Sequence, residues 1–177
     1  FISDELRARL IRPIVRNLMR LALNGDHTRL ILQNRDDREL FLKARLVDES
    51  RVRLIPGSGV DCRRFQLVNH RLEDKPLRVL LASRLLWDKG LAEYVEAART
   101  LKGKGRAIRF LLAGDPDAGN PASVPVETVR EWVDEGIVEW LGHVDDMAKC
   151  LTQADIAVLP SYREGLPKSL IEAAAVS

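Results

Sequence analysis

Apolar positions along the chain follow two rhythms, and the change between them marks out its elements. Within residues 3–23, Leu6, Leu10, Ile14 and Leu18 recur every fourth position, while Arg9, Arg12, Arg16 and Arg20 recur at three and four. This spacing predicts a helix with a basic stripe, kinked or restarted at Pro13. "TRLILQN" (28–34) has the length of a buried strand. In "DDRELFLKARL", Asp36 and Glu39 are spaced as a capping box, and Leu40, Phe41 and Ala44 form one apolar face. "RVRLIPGSGVD" (51–61) reads as a strand broken by Pro56 and two glycines, where the chain turns sharply. "QLVNHRLEDKP" (66–76) is polar and predicts a linker.

Beyond the linker, strand and helix patterns alternate regularly. "LRVLLAS" (77–83), "AIRFLLAG" (107–114), "IVEWLG" (137–142) and "DIAVLPS" (155–161) are apolar runs of strand length. Between them lie three helical segments. "DKGLAEYVEAARTLKGKG" places Leu91, Val95, Ala98 and Leu101 on one face, "VPVETVREWVDEG" stops at Gly136, and "DDMAKCLTQA" has Asp145 as its predicted cap. Apolar strands alternating with helices predict an α/β fold, a parallel sheet covered on both faces. In such sheets ligands lie at the carboxyl ends of the strands, near a switch in strand order. Four loops therefore qualify, those after Ala82, Ala113, Leu141 and Leu159.

Composition narrows the class. A formal net charge of +2 over 177 residues gives no concentrated basic face, so nucleic acid is not an expected partner. Two cysteines, Cys62 and Cys150, make neither a disulfide framework nor a zinc site, which suits a reducing, cytoplasmic setting. No apolar run approaches a membrane span. The chain opens "FISDELRARL" and closes "EAAAVS" within helical patterns, so both ends are expected to lie inside a longer protein.

The four loops carry distinct chemistry. In "SRLLWDKG", Arg84 and Lys89 are either solvated cations or a pair of donors converging on a phosphate. In "LLAGDPDAGNP", Asp115 and Asp117 form an Asp-x-Asp pair, either two hard-oxygen metal ligands or part of a turn. Gly142 and His143 in "WLGHVDDM" would let a flat base approach the backbone. In "YREGLPKSLIEAAA", Pro167 suits a helix start and Gly165 a tight turn before it. The amides of that helix start favour an anion such as a diphosphate. Glu172, about one and a half turns into the helix, would either accept from sugar hydroxyls or be an ordinary helix glutamate, while Glu164 would either face the reaction centre or be merely exposed.

"SRLLWDKG", "FLLAGD", "WLGHVDD" and "VLPSYREGLPKSLIEAAA" occur in the order and spacing that resemble the nucleotide-binding domain of retaining GT-B glycosyltransferases, family four. The Glu–seven–Glu pattern of Glu164 and Glu172 is that family's hallmark. "RLILQNRDDRELF" and "IPGSGVD" resemble the end of the companion N-terminal domain. The wording is closest to bacterial enzymes of capsule, lipopolysaccharide or lipid-linked oligosaccharide synthesis. The division expected is 1–70 for the acceptor-side Rossmann-like domain plus interdomain loop, and 75–177 for an incomplete nucleotide-sugar-binding domain.

The resemblance implies transfer of a hexosyl or N-acetylhexosaminyl group from a nucleotide sugar, usually UDP-linked. The acceptor would be a glycan or a polyprenol-linked sugar, with anomeric retention and no essential metal or cofactor. By position, Arg84 and Lys89 would hold the diphosphate, and Glu164 would lie near the donor sugar. Gly165 and Leu166 would offer backbone to sugar and phosphate, Glu172 would bind ribose, and Gly142–His143 would border the base. Because that fold needs no metal-binding Asp-x-Asp, the resemblance favours the turn for Asp115 and Asp117. The chain by itself is expected to be inactive and prone to self-association. The arginine stripe is expected to be either a solvated face or a peripheral contact with the inner membrane surface. Two other classes stay open: a non-catalytic nucleotide-sugar-binding module of the same fold, and a metal-dependent transferase using Asp115 and Asp117. A Rossmann oxidoreductase lacks its Gly-x-Gly-x-x-Gly turn.

Overall fold

The computed structural model describes residues 6–66 and 76–177, with side chains from residue 11 onward. The side chains of Leu6, Arg9 and Leu10, and residues 67–75 of the expected linker, lie outside the described residues. The chain divides into two compact units, Phe1–Ser58 and Gly59–Ser177.

The first unit contains α1 (Leu6–Leu23), β1 (Leu30–Leu32), α2 (Arg35–Lys43) and β2 (Val52–Leu54), with β1 and β2 paired in parallel. α1 runs through Pro13 as one helix, so no second helix starts there. The predicted Asp36–Glu39 box is not the cap of α2. Asn34 caps it, its side-chain oxygen accepting from the Asp37 amide at 2.6 Å. With the helix beginning at Arg35, Asp36 already lies in the first turn, where its charge favours the dipole. No residue of α2 is buried, and Leu40 is exposed.

The arginine stripe also differs from its expected solvated face. Arg16 donates to the Ala44 carbonyl at 3.1 Å, and Arg20 to that of Arg45 at 2.8 Å. These carbonyls lie at the C-terminal end of α2, where backbone acceptors lack helical partners and cations are favoured. The exposed side chains of α1 include Ile11, Ile14, Leu18 and Leu21.

The second unit contains β3 (Leu77–Ala82), α3 (Leu91–Gly103), β4 (Ile108–Ala113), α4 (Val126–Asp134), β5 (Glu139–Gly142), α5 (Met147–Leu151), β6 (Ile156–Ala157) and α6 (Lys168–Val176). Its four strands are all parallel, in the order β5-β4-β3-β6. Successive side chains of a strand point to opposite faces, and the core divides accordingly. Val79, Leu81, Phe110 and Leu112 pack with Leu91, Val95 and Ala98 of α3 and Val129 and Trp132 of α4. Leu80, Leu111 and Ala113 pack on the other face with Leu151 of α5, Val176 of α6 and Phe65. Each fully buried leucine here contributes about 1.5–3 kcal/mol of hydrophobic stabilisation. Tyr94 of α3 ties the layers together, its hydroxyl lying 2.9 Å from the carbonyls of both Val79 and Leu111.

Several boundaries shift from those the pattern predicts. The segment from Asp88 starts not as helix but within a 3-10 turn, Trp87–Lys89, and α3 begins only after Gly90. Asp146, not Asp145, caps α5 by accepting from the Lys149 amide at 3.1 Å. Pro167 is the cap of α6 rather than a first-turn residue, which leaves Glu172 just over one turn inside. The last strand shrinks to two residues. Asp155 fixes its start by accepting from the Arg78 amide at 2.7 Å and donating to the Arg78 carbonyl at 2.9 Å. After the Val158 amide bonds to Leu80, Pro160 has no N–H to extend the ladder.

Candidate functional site

Chain order runs β3, β4, β5 to one side and then returns to place β6 against the opposite edge of β3. The strand order therefore switches at β3, and the crevice of such sheets lies there, at the carboxyl ends of the strands. Two groups of the predicted residues meet there.

The first group lines a hollow of about 470 Å³ at the ends of β3, β4 and β5 and the start of α6. Arg84, Asp115, Asp117, His143, Lys168 and Glu172 face it. Arg84 points outward because its neighbour is anchored. Leu85 is wholly buried, its amide bonded to the Asp115 carbonyl and its carbonyl accepting from Val124. The floor is kept low by Gly114, at φ 132°, where a Cβ would sit 1.9 Å from the Ser83 carbonyl oxygen. Gly142 accepts from the Gly114 amide at 2.8 Å, and the Trp140 indole donates to the Gly114 carbonyl at 2.8 Å. The loop after β4 is thus held between its two neighbours.

Within this hollow, charges are already paired. Arg84 Nη1 lies 2.7 Å from Asp117 Oδ2, a partner 33 residues away that the sequence does not reveal. Asn120 also donates to Asp117 Oδ2, at 3.2 Å, and the Asn120 amide closes a turn onto the Asp117 carbonyl at 3.0 Å. Glu172 is a buried carboxylate of α6, with Lys168 Nζ 3.5 Å from it at helical i, i+4 spacing. That spacing was the signal available for Lys168. His143 is exposed and lies 3.3 Å from Asp145.

The second group stands at the crevice itself. Lys89 Nζ and Glu164 Oε1 are 2.5 Å apart, and the Ser161 hydroxyl donates to the same oxygen at 2.8 Å. Three further contacts hold these loops together. Gly90 adopts φ 73°, and a Cβ there would stand 2.2 Å from the Pro160 carbonyl oxygen. The Tyr162 amide donates to the Asp88 carbonyl at 3.1 Å, and the Tyr162 hydroxyl donates to Glu93. That last bond holds the Glu93 carboxyl below its ordinary range and pushes the Tyr162 phenol up. Lys89, Glu164, Gly165, Leu166 and Gly142 are not among the residues lining the hollow beside Arg84. The predicted site therefore comprises a ligand-sized hollow and an adjoining ion-paired clamp.

Among the described residues, no three His, Cys, Asp or Glu side chains gather as a metal site, and Cys62 and Cys150 are free. No described helix is long and apolar enough to cross a membrane. The arrangement supplies three cationic side chains, Arg84, Lys168 and Lys89, a helix start without a side-chain cap, and a buried carboxylate. Such a set suits a ligand carrying both phosphate and sugar hydroxyls.

Comparison with known proteins agrees with that chemistry. The family described as Glycosyl transferases group 1 matches residues 76–177. The N,N'-diacetylbacillosaminyl-diphospho-undecaprenol alpha-1,3-N-acetylgalactosaminyltransferase of Campylobacter jejuni is 31% identical over 99% of this chain and 47% of its own length. Among solved structures, Anabaena Alr3699/HepE in complex with UDP-glucose superposes with a TM-score of 0.69 at 17% identity, over 90% of this chain and 46% of that one. WaaG, a glycosyltransferase involved in lipopolysaccharide biosynthesis, superposes with a TM-score of 0.72 at 18% identity, over 97% and 47%. The fold is that of GT-B glycosyltransferases. The chain spans about half the length of the relatives it matches.

Proposed function

The chain belongs to the group 1 glycosyl transferases, and from that premise we propose that the whole protein moves a sugar from a UDP-linked donor to a lipid-linked or glycan acceptor. The transferred group is a hexosyl or N-acetylhexosaminyl residue, and the anomeric configuration of the donor is retained. The setting is surface polysaccharide synthesis in the cytoplasm, at the inner membrane face. One observation carries this reading: Arg84, His143 and Glu172, from two loops and a helix distant in sequence, border one hollow at the end of a parallel sheet.

The chemistry follows from placement. The bond from the anomeric carbon to the diphosphate oxygen breaks as the acceptor hydroxyl oxygen bonds to that carbon, and negative charge accumulates on the leaving diphosphate, which takes up the proton that the hydroxyl gives up. Arg84 and Lys89 stabilise that charge, and the start of α6 adds its amides. Glu172 accepts from the ribose hydroxyls, Gly142 and His143 border the base, and the Gly165–Leu166 backbone meets sugar and phosphate. Glu164 lies beside the donor sugar. Its bonds to Lys89 and Ser161 fix its carboxylate in place, which suits a positioning and electrostatic role and not that of a nucleophile. Residues 1–70 comprise the end of the acceptor-side domain plus the interdomain loop, of which Phe65 packs into the core of the second unit, and 75–177 belong to the donor side. No metal enters this scheme, since Asp117 is engaged by Arg84 and Asn120.

The test is turnover by the whole protein with a panel of UDP-sugars and a polyprenyl-diphosphate-linked sugar, with product configuration read by NMR. The expected result is one retained glycoside and a fall of about 10²-fold or more in kcat for Arg84→Ala. Absence of product with every donor, or an inverted product, overturns the reading. Residues 1–177 alone are expected to bind donor without turning it over.

A further inference from the structure

We propose that Asp117 is a positioning residue for the diphosphate of the donor, acting through Arg84. The inference rests on the donor-site reading above and adds to it a residue that the sequence reads as part of a turn or as one of an Asp-x-Asp pair of metal ligands.

Arg84 is a long side chain, 66% exposed, at the lip of the hollow. A guanidinium in that setting samples many rotamers, and fixing one on ligand binding costs conformational entropy. Asp117 removes part of that cost in advance. Its Oδ2 accepts from Arg84 Nη1 at 2.7 Å, and the carboxylate is itself restrained. Asn120 Nδ2 donates to the same oxygen at 3.2 Å, the Ser123 hydroxyl accepts from the Asp117 amide at 2.9 Å, and the Asn120 amide bonds to the Asp117 carbonyl at 3.0 Å. The loop carrying Asp117 is in turn fixed to the sheet, because Leu85 exchanges backbone bonds with Asp115 and Val124 on either side of it. The guanidinium has five N–H donors in a rigid fork, so a single bond through Nη1 leaves donors for phosphate oxygens. Arg84 is thereby aimed from the ends of β3 and β4 by Asp117, which also faces the hollow and in this proposal acts on the diphosphate through the guanidinium.

The experiment is calorimetric titration of the whole protein with UDP, for the wild type, Asp117→Asn, Arg84→Gln and the double variant. Asp117→Asn is expected to bind UDP about three- to tenfold more weakly, the scale of one side chain's lost pre-organisation. In the Arg84→Gln background the same substitution is expected to change nothing. Asp117→Glu, which keeps the charge, should recover part of the loss. The backbone bonds that shape the loop do not need the carboxylate, and Asp117→Ser gives a second variant should Asp117→Asn fail to fold. Tighter binding by Asp117→Asn would show the carboxylate to be a competing counter-ion and overturn the inference. So would unchanged binding, or an equal loss in the Arg84→Gln background, which marks a merely structural role. If the wild type itself binds no UDP, the donor-site reading fails first and the inference with it.

Discussion

Lys89 and Glu164 stand 75 residues apart in sequence and 2.5 Å apart in space, each side chain about a quarter exposed. One closes the turn after β3 and the other lies in the loop after β6, so the pair joins the loops that leave two neighbouring strands. Ser161 supports Glu164 from its own loop, and Gly90 lets the turn approach the backbone of Pro160.

Breaking that pair leaves a half-buried carboxylate without its cation. Lys89→Met is expected to lower unfolding stability by about 1–2 kcal/mol, between the values for exposed and buried pairs. Glu164→Gln should cost less, because the amide oxygen still accepts from Ser161. Urea midpoints at neutral pH measure both, and equal midpoints for Lys89→Met and wild type would contradict the account.

Two glycines separate conformational strain from steric conflict. Gly119 has φ 83° with nothing within 4 Å of a built Cβ, whereas Gly90 has φ 73° and the Pro160 carbonyl at 2.2 Å. Gly119→Ala should cost only the left-handed backbone penalty, about 1–2 kcal/mol. Gly90→Ala should cost more and also weaken UDP binding, because relief of the clash moves the loop that carries Glu164. A Gly90→Ala variant with wild-type UDP affinity would show that this packing does not shape the site.

Stability against acid has a local component at the edge of the sheet. Arg109 hydrogen-bonds Glu139 and, through that bond and its charge, holds the Glu139 carboxyl below its ordinary range. A carboxyl with a lowered folded-state pKa contributes stability above its unfolded pKa, and loses it as pH falls through the folded one. Urea midpoints of wild type and Glu139→Gln should therefore differ at pH 7 and converge toward pH 3. A constant difference would assign the effect to packing. Both side chains are about half exposed, so high salt should shrink the difference.

Much of the second unit was legible because each strand is an apolar run between turn residues. Leu80 and Leu81 face opposite cores, and both are fully buried. The short last strand was overestimated because its length is set by Asp155 and Pro160 and not by hydrophobicity. Caps were misplaced by one or two residues at Asn34 and Asp146, where two polar neighbours compete for one role and only geometry decides. α1 was the least legible element. Its arginines satisfy the carbonyl end of α2, a tertiary use that a helical pattern cannot express. In the site, Glu164, Glu172, Lys89 and Arg84 were marked by the family resemblance, whereas the tie between Asp117 and Arg84 was not legible, since the two are distant in the chain.

The central claim is that UDP lies across the hollow and the clamp together, and a crystal structure of the whole protein with UDP tests it most directly. The account predicts ribose hydroxyls within hydrogen-bond reach of Glu172, the base beside Gly142 and His143, and diphosphate oxygens on Arg84 and Lys89. UDP seated elsewhere, for instance among Arg63, Arg64 and Lys149 where a second hollow opens, would contradict it.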